Sequence, residues 1–244
     1  DPRTDGAGLA RLAAAGVEVA TGVREREARR MSAGWLARRE RGRPLVTLKL
    51  ALSLDGAAAM ADGTSRWITG PEARAHAHGE RSRHEAILVG RGTWETDRPA
   101  LDVRLAGLEA RAPVRVVLSS RPPVADPTGL TRRVSSAREE DSGTPDQVRG
   151  DVVWIGSPHD IASLPGDHLL VEGGAATAAA FLAADLVDRL LLYRAPILVG
   201  GGRTLPAIGL GDLSDAHGRW RLHDARRLGV DHLEEYERIR CSPA

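Results

Sequence analysis

The sequence holds one cysteine, Cys241, among 244 residues, so no disulfide can form within the chain. Aromatic residues make up only 3%, and a core must therefore rest on Leu, Val, Ile and Ala, within a hydrophobic content of 42%. Neither sign of charge dominates. The formal net charge of +1 argues against a nucleic-acid or membrane-surface role based on bulk charge. No apolar run is long enough to span a bilayer, and no signal-peptide pattern opens the chain, so the expected location is cytoplasmic. The pattern His-x-Glu followed by Pro-Cys-x-x-Cys is also missing. With one cysteine, a zinc deaminase site cannot be assembled and no zinc is expected. The length allows one domain with an appendage, or two small ones. The first methionine is Met31, and we expect further sequence ahead of Asp1 in the natural protein.

The chain is organised around residues 45–104. The apolar run Leu45 to Leu52, interrupted by Lys49, predicts a buried strand. Asp55-Gly56 predicts a turn. Thr69 and Glu72 are spaced as a capping box around Pro71, which predicts a helix from Thr69 to about Arg83. EAILVG predicts a second buried strand, ending in Gly90-Arg91-Gly92-Thr93, with a loop through Pro99. Polar residues gather at the ends of these strands, where open α/β sheets bind ligands.

Residues 1–41 read differently, as a short helix ending at Gly16, a brief strand VEVATGV and a basic helix or helix pair. Further strands are predicted at 111–120, DVVWIGS, HLLVEGG and LLYRAPILVGGG. The segment 131–150 reads as a surface excursion with at most a short strand. AATAAAFLAADLVDRLL predicts a long helix, and the end of the chain predicts a hairpin around Gly229. The fold class is α/β, mostly parallel, with flanking helices and a C-terminal antiparallel hairpin.

Several residues invite a functional reading. VEGGAAT turns from strand to helix through two glycines, which exposes backbone N–H groups to an anion, although it lacks the G-x-G-x-x-G fingerprint. A plain tight turn is the other reading. Gly200-Gly201-Gly202 fits either a ligand loop or a close backbone approach. Lys49 in an apolar strand needs a carboxylate such as Asp55 or Asp97, or faces a ligand. His76, His78 and His84 lack the spacing of a metal helix and read as surface residues.

TLKLALSLDG, SRWIT, ILVGRGTWETDRPAL-DVR, VEGG and PILVGGG occur here in one order. This set resembles the reductase part of the bifunctional riboflavin-biosynthesis deaminase/reductase family (RibD), whose fold is dihydrofolate-reductase-like. The resemblance implies a domain division. Residues 1–41 would be the tail of a deaminase-type domain and its linker, with an ordinary helical cap as the alternative, and residues 42–244 the reductase domain. It implies NADPH as cofactor, with Ala51, Trp67, Thr93, Asp97 and Ser120 on the nucleotide side. The loop Gly173, Gly174, Ala175, Ala176 and Thr177 would bind the same cofactor. The implied substrate is 5-amino-6-(5-phosphoribosylamino)uracil, contacted by Ser65, Leu101 and Glu172, with Arg81 and Arg104 on its ribose-phosphate. Lys49 and Asp97 are the groups placed to handle a proton at the cleft. One departure stands out: Arg98 replaces the second of two acids that usually precede Pro99. A homodimer is implied, with no metal, nucleic-acid or membrane partner. Another reductase of this fold, or a non-catalytic scaffold, remains the rival reading.

Overall fold

The structure, a computed structural model, describes residues 5–121, 131–133 and 152–239. Cys241 and most of the 131–150 excursion lie outside them. The apolar run around Lys49 forms β1 (Leu45–Leu52), inside a sheet. It pairs in parallel with β6 (His168–Val171) on one side and β7 (Arg189–Arg194) on the other. Beyond β6 come β2 (Ala86–Gly90), β3 (Val114–Leu118), β5 (Val152–Ile155) and β4 (Thr131–Arg133), all parallel. Beyond β7 the hairpin of β9 (Asp231–Arg238) and β8 (Trp220–Leu228) closes the far edge in antiparallel pairing. The order is β4-β5-β3-β2-β6-β1-β7-β9-β8.

Alternation along each strand divides the core between two faces. Val46, Leu48 and Leu50 of β1 pack under Phe181 and Leu182 of helix α6 (Ala175–Ala183). Ile87, Val89 and Leu170 point the other way, towards Leu101. On that same side Ala73 and Ala77 of α4 (Pro71–Arg81) meet Tyr193 and Leu233. No helix among the described residues is long and apolar enough to cross a membrane.

Before the sheet come α1 (Ala7–Ala14), which buries no residue, then α2 (Glu25–Met31) and α3 (Ala33–Arg41). The brief strand expected over VEVATGV does not form; the segment is mostly exposed and meets no sheet edge. The basic helices dock at the N-terminal ends of the parallel strands. Arg38 donates to the carbonyls of Ala162, Leu164 and Gly166, and Arg30 pairs with Glu235 and Glu237. Asp188 is the anchor of this end. Its carboxylate accepts from Arg43 and Arg41 at 2.7 Å each and from the Val46 N–H at 2.9 Å.

Four local expectations are corrected. The capping box of Thr69 and Glu72 is not made: Gly70 is the N-cap, and its N–H donates to Asp231 Oδ2 at 2.7 Å. The expected loop after β2 contains a helix, α5 (Arg91–Asp97), held by Trp94 against the core and by an Arg91–Glu95 ion pair at 2.7 Å. The long alanine-rich helix stops at Ala183, because pairing with β1 and the Asp188 anchor draw residues from Arg189 onward into β7. That strand ends at Arg194, short of the glycines, since Pro196 has no N–H and Asp55 takes the N–H groups of Val199 and Gly200. Gly202 then packs its α-carbon against the Ala59 carbonyl, where any side chain would collide. Gly202 thus serves a close backbone approach, whereas Gly200 and Gly201 have open space around them and turn the chain through left-handed φ angles of 63° and 64°.

Candidate active site

The C-terminal ends of β1, β2 and β6 open into a cleft of about 610 Å³. Its floor is electrostatic. Glu172 follows β6 directly and is almost fully buried, and Arg81 at the end of α4 grips it with two hydrogen bonds, 2.7 and 2.9 Å long. Lys49, the chain's single lysine, brings Nζ to 4.0 Å from Glu172 Oε2 and lies 5.5 Å from the centre of the Tyr193 ring. Burial alone would push the Glu172 carboxyl up, but the Arg81 hydrogen bonds and the charges of Lys49 and Arg81 outweigh it and hold it below the usual range. Burial pushes the Lys49 ammonium down; Glu172 opposes this and Arg81 adds to it. A lysine so placed gives up its proton more readily than one in water.

One wall of the cleft is the glycine turn. Gly174 is the N-cap of α6, and a Cβ built on it would meet only Thr93 Oγ1, at 3.8 Å. The N–H groups of Ala175, Ala176 and Thr177 lie in the first turn of this helix, whose first internal bond runs from the Ala178 N–H to the Gly174 carbonyl. Gly173 differs from its neighbour: its α-carbon packs on the Thr177 side chain and leaves no room for Cβ. The opposite wall is the loop after α5. Arg104 is exposed and paired with Asp102 at 3.0 Å, and the Asp102 carbonyl accepts from Arg81 Nη1 at 3.0 Å. Asp97 at the end of α5 pairs with Arg66, 3.6 Å away.

Residues 44–233 match the family described as the RibD C-terminal domain. The chain belongs to this family. It is 38% identical over 239 residues to the riboflavin biosynthesis protein RibD of Mycobacterium tuberculosis, covering 93% of this chain and 65% of that protein. The Escherichia coli RibD is 33% identical over 259 residues, with 95% of this chain and 70% of that protein covered. Among solved structures, Acinetobacter baumannii RibD matches with a TM-score of 0.76 at 28% identity, over 96% of this chain and 69% of that one. A dihydrofolate reductase from Enterococcus faecalis, at a TM-score of 0.53 and 15% identity, has the same fold. The chain thus spans about two-thirds of the RibD proteins it matches.

In this RibD domain the cleft gathers most of the residues singled out in the sequence. Lys49, Ala51, Ser65, Trp67, Thr93 and Asp97 line it. So do Arg81, Leu101, Arg104, Glu172, Gly173 and Gly174. Ser120 lies apart, exposed just beyond β3. Ala175, Ala176 and Thr177 form the first turn of α6 behind the glycines, with the Thr177 side chain buried. Lys49 takes neither Asp55 nor Asp97 as partner. Asp55 is held by Ser53 and by the Val199 and Gly200 N–H groups, which lower its pKa to about 2. The histidines are not simply surface residues. His84 is buried between the Glu80 carbonyl and Thr47, and His76 bonds to the Tyr193 hydroxyl at 2.8 Å. Among the described residues no group of three or more His, Cys, Asp or Glu side chains could hold a metal. No site role was assigned from the sequence to Arg66, Arg74 or His78, all on the cleft wall. Only the three-residue spacing of His78 from Arg81 could have flagged one of them.

Proposed function

We propose that this domain is an NADPH-dependent reductase acting on 5-amino-6-(5-phosphoribosylamino)uracil in riboflavin biosynthesis. The observation that carries the proposal is one cleft that joins an open glycine turn at a helix N-terminus to a buried Arg81–Glu172–Lys49 cluster. The glycine turn fits a dinucleotide, because the absence of Cβ at Gly174 leaves the backbone N–H groups of α6 approachable by a pyrophosphate. NADPH, when bound, would supply the hydride that reaches the anomeric carbon of the ring-opened ribosyl group. The chain's own residues position and polarise. Glu172, pinned by Arg81, would accept hydrogen bonds from polar groups of the substrate, with Ser65 and Leu101 bounding the same space. Arg81 has two N–H groups beyond its three bonds to Glu172 and Asp102, and together with the exposed Arg104 these suit a phosphate. Lys49, with its lowered pKa, is the better placed of the two proton-handling candidates; Asp97 is turned towards Arg66.

A Thermotoga maritima protein described as a deaminase/5-amino-6-(5-phosphoribosylamino)uracil reductase, 28% identical with a TM-score of 0.71, supports the choice of substrate. We read residues 1–41 as the tail of a deaminase-type domain and its linker, of which α2 and α3 dock against the following domain. We further read the protein as a homodimer that uses the exposed edge strand β8. The deciding experiment is steady-state NADPH oxidation with the phosphoribosylaminouracil. Turnover is expected; a folded protein that binds neither NADPH nor this substrate would sink the proposal. A monomer mass in light scattering at micromolar concentration would remove the dimer alone.

A further inference from the structure

His78 stands three residues before Arg81 on α4, so the two share a helix face, and both line the cleft. Its Nδ1 lies 3.1 Å from the Asp102 carbonyl oxygen and 3.3 Å from the Arg104 backbone nitrogen. The same Asp102 carbonyl accepts from Arg81, and the Asp102 carboxylate accepts from the Arg104 side chain. Residues 102–104 therefore tie His78, Arg81 and Arg104 into one cluster. The other ring nitrogen, Nε2, has no hydrogen-bond partner among the described residues.

Nδ1 is offered both an acceptor and a donor by the backbone, and this matters for the state of Nε2. When Nδ1 carries the proton it donates to the Asp102 carbonyl. When it does not, it accepts from the Arg104 N–H, and Nε2 then carries the proton. In the imidazolium both nitrogens donate. Each state is compatible with the loop as it stands, and two of the three present an N–H from Nε2.

We propose that His78 is a further phosphate-recognition residue of this cleft, donating Nε2–H to the same anionic group that Arg81 and Arg104 serve. The inference rests on the reading of the cleft as a site for a phosphorylated substrate. The charged groups around the ring are Arg81 on α4, Arg104 and Asp102 on the loop after α5, and Glu172 after β6. Burial, and then Arg81 and Arg104, hold the imidazole below its ordinary pKa; the Asp102 carbonyl and Glu172 only partly offset this. The ring is thus mostly neutral in the unliganded protein at neutral pH. An arriving phosphate reverses the local balance of charge and draws a proton onto the ring. Binding is then coupled to proton uptake and weakens as the pH rises.

The test pairs His78→Leu, which removes the donor, with His78→Gln, which keeps an N–H donor that does not titrate. For His78→Leu, the substrate KM is expected to rise about tenfold, the scale of one hydrogen bond to a charged group. NADPH affinity and melting temperature should hold, and His78→Gln should restore most of the loss. The wild-type substrate KM should climb with pH more steeply than that of His78→Gln, since the ionisation of the phosphate itself is common to both. The imidazole of His78, assigned by NMR through the Gln variant, should show a raised pKa when ribose 5-phosphate is added. An unmoved imidazole pKa, or a substrate KM unchanged in His78→Leu, overturns the inference even if the protein is a reductase. A raised imidazole pKa in a protein that never oxidises NADPH upholds the inference and removes the reductase reading instead.

Discussion

Replacing Arg81 by Leu strips a buried carboxylate of its main partner. Among the described residues Glu172 keeps Lys49, at 4.0 Å, as its ion-pair partner, while it loses two hydrogen bonds of 2.7 and 2.9 Å. Breaking a buried ion pair from one side costs about 3–5 kcal/mol. Lys49 still compensates part of the charge, which places the value near the lower end, at about 3 kcal/mol. In a chain of this size 1 kcal/mol moves the melting temperature by about 2–4 °C, so a fall of about 6–12 °C is expected. The double variant Arg81→Leu/Glu172→Gln should recover part of that fall, because its buried side chain is neutral and needs no cation. Thermal melts followed by circular dichroism, on the two single variants and the double, measure the coupling. If the Arg81→Leu melting temperature stays within about 1 °C of wild type, the pairing does not carry this weight and the reasoning fails. Substrate affinity should drop in the same variant, so Arg81 acts on both stability and binding; Arg104, exposed beside Asp102, should affect binding alone.

Gly174→Val should abolish the NADPH fluorescence change at an unaltered melting temperature, since its Cβ meets only Thr93, whereas Gly173→Ala should destabilise the fold through collision with Thr177. Asp188→Asn should lower stability by roughly 3 kcal/mol in urea titration, because the buried Arg43 loses its counter-charge; an unchanged midpoint would contradict the anchor role. Acid should unfold the protein from about pH 4.5 downward. Glu172, Asp188 and Glu85 all have folded pKa values below their unfolded ones. Their stabilisation is therefore complete above the unfolded values and is lost as the pH falls through the folded ones. For Glu85 that value is about 2: burial opposes the shift, and hydrogen bonding to His168 produces it. Urea midpoints that stay flat from neutral pH to pH 3 would exclude this linkage.

The parts of this protein legible in the sequence are those written in short-range pattern. β1 spans Leu45–Leu52 as its apolar run dictates, Pro71 opens α4, the VEGG turn leads into α6, and Gly229 turns the final hairpin. The order of motifs also located most of the cleft. What the sequence left open was settled by contacts between distant segments. α5 is only seven residues long and carries Gly92 and Thr93, too short and too poor in helix formers to stand without the core beneath Trp94. The alanine-rich segment reads as helix through Leu191, yet hydrogen bonds to β1 outweigh that preference beyond Ala183. The partners of charged groups were least legible. Arg81 and Glu172 lie 91 residues apart, and nothing local distinguishes this arginine from the other arginines of the chain. Only the packing of α4 on Tyr193 of β7 and Leu233 of β9 carries Arg81 to Glu172, and brings with it His78 into the cleft beside Lys49, because an ion pair is decided by distance in space and by exclusion from water, neither of which a linear pattern encodes.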